Sequence, residues 1–161
     1  MKIFLSSLLM LIALPSMAQL KATARCPEML VDILDGHINR VSPKFTAGEI
    51  KKVFPCYTSE VEKTDTTACA GVFIKDKGLS FFTDRNYIEI TEAYKGKMEP
   101  AIMGAQRGSL FKYLGNPSIK DDTWDAFITR YGTLILYYNT AGKINKIQMS
   151  SKSADYIKLC N

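Results

Sequence analysis

The chain is short of most parts that catalysis needs. His37 is the single histidine among 161 residues, so a Cys-His or Ser-His pair has only this side chain to draw on. No C-x2-C spacing occurs, and with one histidine the common zinc patterns are excluded. No glycine-rich run ends in Gly-Lys-Ser/Thr, so a phosphate loop is absent as well. After residue 18 no apolar stretch approaches the roughly 20 residues that a membrane-spanning helix needs. Like charges never gather into a block. The 21 basic and 16 acidic residues give a formal charge of +5, and their scatter describes a solvated surface rather than a nucleic-acid footprint.

What is present begins with an export signal. Lys2, the apolar "IFLSSLLMLIAL" and the small-residue pattern "PSMA" form a leader over residues 1–18, with cleavage after Ala18. Residues 19–161 then make one domain of ordinary size. No cysteine follows the cleavage point, so a lipid membrane anchor is not expected, and the product belongs to an exported space, periplasmic or secreted. The chain has four cysteines: Cys26, Cys56, Cys69 and Cys160. An even number in an exported chain argues for two disulfides. Three pairings exist. The favoured one joins Cys56 to Cys69 across a polar loop and Cys26 to Cys160 across nearly the whole chain.

Periodicity supplies the elements. Leu30, Ile33, Leu34, His37, Ile38 and Val41 recur at helical spacing, which predicts a helix from Pro27 to Pro43. A second, shorter helix is expected from Thr46 to Pro55, with Thr46 and Glu49 as a capping box. Residues 56–68 are polar and aperiodic. "AGVFIK", "LSFF" and "YIEIT" read as three strands with tight turns at "DKG" and "DRN". The second half has the same grammar: a short helix in "RGSLFKYLGNP", then "WDAFITRYG", "TLILYYN" and "KINKIQMS" as strands. Either a tandem repeat over 46–91 and 104–150 or a convergent helix-plus-meander pattern accounts for the parallel. The expected class is α+β, with helices packed on one face of an antiparallel β-sheet, in one or two such units.

Leu114-Gly115-Asn116-Pro117, Trp124, Tyr131-Gly132 and "LYYNTAGKINKI" together resemble the β-lactamase-inhibitor-protein-like superfamily, which includes the small lipoprotein of the outer-membrane β-barrel assembly machine. The resemblance covers residues 108–150 and, more loosely, 46–91. It implies an exported domain that inhibits a partner enzyme or braces an envelope complex without catalysis. The chain departs from the lipoprotein branch in lacking the lipid-bearing cysteine, and its leading Cys26–Val41 segment is additional.

Several residues merit weighing as chemistry. His37 falls on an apolar stripe and reads as a packed or rim residue. Asp121, Asp122 and Asp125 are the densest carboxylate group. As a pair across a cleft they would suit a hydrolase of envelope polymers, whereas in a turn they are ordinary. "GAQRGS", with Arg107, has the look of an anion cradle, but helix capping by Ser109 or its neighbours explains it better. The aromatic residues carry the leading reading. Tyr87, Trp124, Tyr131 and Tyr137 are expected to bind a protein partner from a sheet face, since rigid aromatic area binds at low entropic cost. No cofactor, metal, nucleic acid or catalytic residue is expected.

Overall fold

The structure is a computed structural model and describes residues 25–64 and 69–160. The expected leader and residues 65–68 of the polar loop lie outside the described residues.

Strands dominate. The short segments β1 (Leu30–Asp32) and β2 (His37–Ile38) come first, followed by helix α1 (Ala47–Val53) and strand β3 (Ser59–Val61). A meander β4 (Gly71–Ile74), β5 (Leu79–Phe82) and β6 (Tyr87–Thr91) follows, then β7 (Lys97–Glu99). The second half contains α2 (Phe111–Leu114), β8 (Ile119–Lys120), β9 (Trp124–Thr129), β10 (Gly132–Tyr138) and β11 (Ile144–Ser150). The large sheet has the order β3-β4-β5-β6-β11-β10-β9-β8 and is antiparallel throughout; a second sheet is β2-β1-β7. In each half a short helix precedes four meandering strands, and the two halves meet where β6 pairs with β11.

This corrects the α+β expectation. Of the described residues 37% are strand and 13% helix, with only one helix of seven or more residues among them. The error originates at Cys26–Val41, which does not form a helix. Met29, Val31 and Ile33 are buried while Leu30 and Leu34 are exposed, the period-two pattern of a strand. Turn chemistry then folds the segment back. The Asp32 carboxylate accepts the Leu34 and Asp35 N–H groups at 3.0 and 2.9 Å, an Asx turn. Gly36 follows at φ +71°, pressed so closely on the Tyr131 ring that a Cβ would collide with it. A second turn places Ile38 beside Val41. The helical spacing of apolar residues was produced by a chain that doubles back twice.

Helix α1 does form where expected. Thr46 and Glu49 make the reciprocal capping box, and Ile50 is its buried residue. The core lies between the inner face of the large sheet and a cover made of β1, β2, α1 and loops. Val72, Phe81, Ile90, Phe127, Leu134 and Ile147 face Val31, Ile33, Ile38, Phe54 and Leu110, and the Phe54 and Phe81 rings stack 5.5 Å apart. A small sheet and irregular chain thus occupy the layer where helices were expected.

The disulfides also differ from the favoured pairing. Cys26 bonds to Cys56 and Cys69 to Cys160, with Cα–Cα separations of 5.1 and 6.0 Å. Cys26 enters the first strand rather than a helix near the far end of the chain, so its neighbour is the exit from α1. Two disulfides fit an oxidising, exported environment. Among the described residues no helix is long and apolar enough to cross a membrane.

Candidate functional site: the outer face of the large sheet

Alternation along the strands decides what the outer face of the large sheet carries. In β10, Leu134, Leu136 and Tyr138 turn inward, so Thr133, Ile135 and Tyr137 turn outward. Registration with the neighbours sets Trp124 opposite Tyr137, Ala126 opposite Ile135 and Ile128 opposite Thr133. On the other side Lys146, Gln148 and Ser150 face the same three positions, and Thr91, Glu89 and Tyr87 continue the rows.

Polar side chains of two adjacent rows are linked. Tyr137 donates its hydroxyl hydrogen to the Gln148 amide oxygen at 3.0 Å, and the Gln148 amide nitrogen donates to Glu89 at 2.7 Å. Lys146 stands 3.7 Å from the same carboxylate and 4.0 Å from the Tyr137 ring centre. Burial, with the Glu89 charge added to it, pushes the Tyr137 hydroxyl above the ordinary phenol range. Four side chains from three strands therefore hold one another in place, which fixes the Tyr137 ring as a rigid platform.

One end of the face is covered by the chain itself. After β11, Ser153–Asp155 share a cleft with Ile119, Ile128 and Gly132, while Cys160 is bonded to Cys69 beyond the opposite half of the sheet. Cys160 also donates its backbone N–H to the Tyr87 hydroxyl at 3.0 Å. Between these anchors Ile157 and Leu159 are half-buried and Lys158 is exposed, the alternation of an extended segment lying on a surface. This strap closes over the Tyr87 end of the outer face.

The four aromatic residues expected to bind a partner fare differently. Tyr87 is only 1% exposed and stacks on Phe82 at 4.4 Å; it is a packing residue under the strap, so its expected contact role is corrected. Trp124 and Tyr137 are brought together as half-buried neighbours on adjacent strands. Tyr131 sits apart in the β9–β10 turn, where its hydroxyl donates to the Ile33 carbonyl at 3.1 Å. Its ring anchors the small sheet's turn at Gly36 and lines the cleft beside Ile128.

Arg107 and the aspartates form an internal clasp. Asp125 is fully buried and accepts Arg107 through both carboxylate oxygens, with Nε–Oδ2 at 3.1 Å. Tyr138 donates to the same carboxylate at 2.8 Å. Burial and this bonded carboxylate push the Tyr138 hydroxyl far above its usual range. Arg107 also donates to the backbone carbonyls of Asp121 and Asp122, and the Asp121 side chain accepts from Thr123. Ser109 does not cap α2, whose first turn has no side-chain cap. Instead Gly104–Arg107 runs beside the β10–β11 turn through paired backbone bonds. His37 lies half-buried in β2, and its Nδ1 atom has no hydrogen-bond partner.

One surface has no counterpart in the sequence pattern. Ile128 is 74% exposed, and Tyr113, Leu34 and Ile119 are also open. Leu34, Tyr113, Leu114, Ile128 and Arg130 line one cleft, and Ile119, Ile128, Arg130 and Tyr131 share the next. Ile128 and Phe127 are adjacent apolar residues in β9, and only the pleat decides which is core.

No family model, curated protein or solved structure matches the chain.

Proposed function

We propose that this chain is an exported, non-catalytic protein-binding domain of the inhibitor, immunity or envelope-assembly kind. The observation that supports it best is the gathering of Leu34, Tyr113, Ile119 and Ile128, four exposed large apolar side chains, around two adjoining clefts. Isolated exposed apolar residues are normal on soluble proteins, whereas a contiguous group marks an interaction surface. The patch borders β8, a two-residue strand at the free edge of the sheet.

Lys44 and Arg130 line the clefts, Lys112 stands 4.7 Å from the Tyr113 ring centre, and Asp35 holds Arg130 at 2.6 Å. The complementary partner is a protein surface with a central apolar ridge and acidic groups around it. Its ridge would enter the cleft between Tyr113 and Ile128 while the basic rim sets orientation. The resemblance of residues 108–150 to the β-lactamase-inhibitor-protein-like superfamily points to the same class of role.

The test compares capture from an envelope extract by the oxidised wild-type domain and by Ile128→Asp, followed by direct titration of the captured protein. A single protein that binds the wild type with at least about tenfold preference supports the reading, as expected when an anchor at an interface is lost. Equal binding by the two forms sinks it.

A further inference from the structure

We propose that the Cys69–Cys160 disulfide is a redox latch, and that its reduction by a dithiol lifts the strap over residues 153–160 off the outer face. The device does not depend on what the docking patch binds.

The strap covers an aromatic row. Val72, Phe81 and Ile88 turn inward to the core, so their neighbours Phe73, Phe82 and Tyr87 turn outward. The three rings follow one another at 5.5 and 4.4 Å. On an open sheet face an outward tyrosine meets water, yet Tyr87 is only 1% exposed. Its hydroxyl accepts the Cys160 N–H at 3.0 Å, which sets the strap directly against it.

Little else holds the strap down. Past Ser153, the Cys160–Tyr87 bond is the one hydrogen bond among the described residues that joins it to the sheet. The Tyr156 N–H turns back to Ser153 within the strap itself. Tyr156 and Lys158 are exposed, and Ile157 and Leu159 are only half-buried. Ordering the segment costs conformational entropy that so few contacts do not offset, so the covalent link keeps it closed. Segments of this kind open locally while the core stays folded.

The two disulfides differ in what they hold. All four cysteines are half-buried. Cys26 and Cys56 pack against the hydrophobic core, whereas among the described residues Cys69 and Cys160 do not. Access to Cys69–Cys160 therefore needs only a shift of the strap, and accessible disulfides are the labile ones. A thiolate of the dithiol attacks one sulfur of the bond and displaces the other as a thiolate. The second thiol then resolves the mixed disulfide, leaving both cysteines reduced and the dithiol oxidised to its disulfide. Ser153–Asp155 line the cleft that holds Ile119 and Ile128, so release also removes one wall of that cleft.

The test treats the oxidised protein with dithiothreitol, blocks free thiols at intervals and maps them by mass. Cys69 and Cys160 should be freed before Cys26 and Cys56. In that half-reduced protein trypsin should cut after Lys158 at least about tenfold faster, because cleavage follows the open population. Circular dichroism should show the sheet intact. Cys69→Ser/Cys160→Ser should be cut as fast without reductant, and its Tyr87 should become open to nitration. Earlier reduction of Cys26–Cys56 overturns the proposal. So does loss of the sheet once Cys69–Cys160 is reduced, an unchanged rate of cleavage at Lys158, or a Tyr87 that stays protected in the folded variant.

Discussion

The backbone N–H of Cys160 bonds to the hydroxyl of Tyr87 across 73 positions of sequence, at 3.0 Å. The bond sits where the strap meets the aromatic row of Phe73, Phe82 and Tyr87, whose neighbouring rings lie 5.5 and 4.4 Å apart. Together with the Cys69–Cys160 disulfide it explains why an outward-facing tyrosine is buried.

Cys160→Ser should therefore loosen the strap and lower stability. The bond spans 91 residues, for which the chain-entropy model gives about 4–5 kcal/mol. The Cys26–Cys56 bond spans 30 residues and should contribute about 3–4 kcal/mol. Urea unfolding of Cys160→Ser and Cys26→Ser/Cys56→Ser measures both. A larger loss from the shorter loop contradicts the ordering.

Arg107→Gln should be far more damaging than a surface arginine substitution, because it leaves Asp125 buried without its charge partner. Loss of one member of a buried pair costs about 3–5 kcal/mol, and Asp125 is fully enclosed. Arg130→Gln removes an exposed pair with Asp35 and should cost under about 1 kcal/mol. Thermal unfolding of the two variants compares them directly.

Adjacent positions on β9 should respond in opposite ways. Phe127→Ala opens the core and should cost about 3–5 kcal/mol. Ile128→Ser changes an exposed side chain and should stay within about 0.5 kcal/mol of wild type. Denaturant midpoints at matched slopes provide the measurement.

Alkaline pH should destabilise the fold through its buried phenols. Burial raises Tyr94 from 10.0 to about 12, and its hydroxyl donates to the Met29 and Lys97 carbonyls. The folded state thus prefers the neutral phenol. Its contribution is complete below pH 10 and is lost as pH rises from 10 towards 12. Tyr94→Phe should flatten that part of the profile, read as melting temperature against pH. An unchanged slope would mean Tyr94 does not carry it.

Much of the large sheet was legible. Its six principal strands were expected where they occur because "DKG", "DRN", Gly132 and "NTAGK" mark turns and the runs between them are rich in β-branched and aromatic residues. α1 was legible through Thr46 and Glu49, whose cap forms locally. The small sheet was not. Leu30, Ile33, Leu34, Ile38 and Val41 satisfy helical spacing, yet Asp32, Gly36 and Asn39 favour turns, and β1 is completed by distant Lys97–Glu99 through parallel pairing. The short edges β3 and β8 were missed because two or three residues carry no period.

The candidate sites were legible only as residue types. Alternation sets Tyr137 and Tyr138 on opposite faces, but the strap, not the alternation, buries Tyr87.

The amino-acid sequence by itself determined the turns, the α1 cap, the strands of the two meanders and the presence of four cysteines, because each follows from interactions within a few residues. Only the tertiary structure decided which cysteines meet, which face each strand buries, and which apolar residues stay open to a partner. Those outcomes depend on contacts between residues dozens of positions apart, and the local pattern is the same whichever contacts are made.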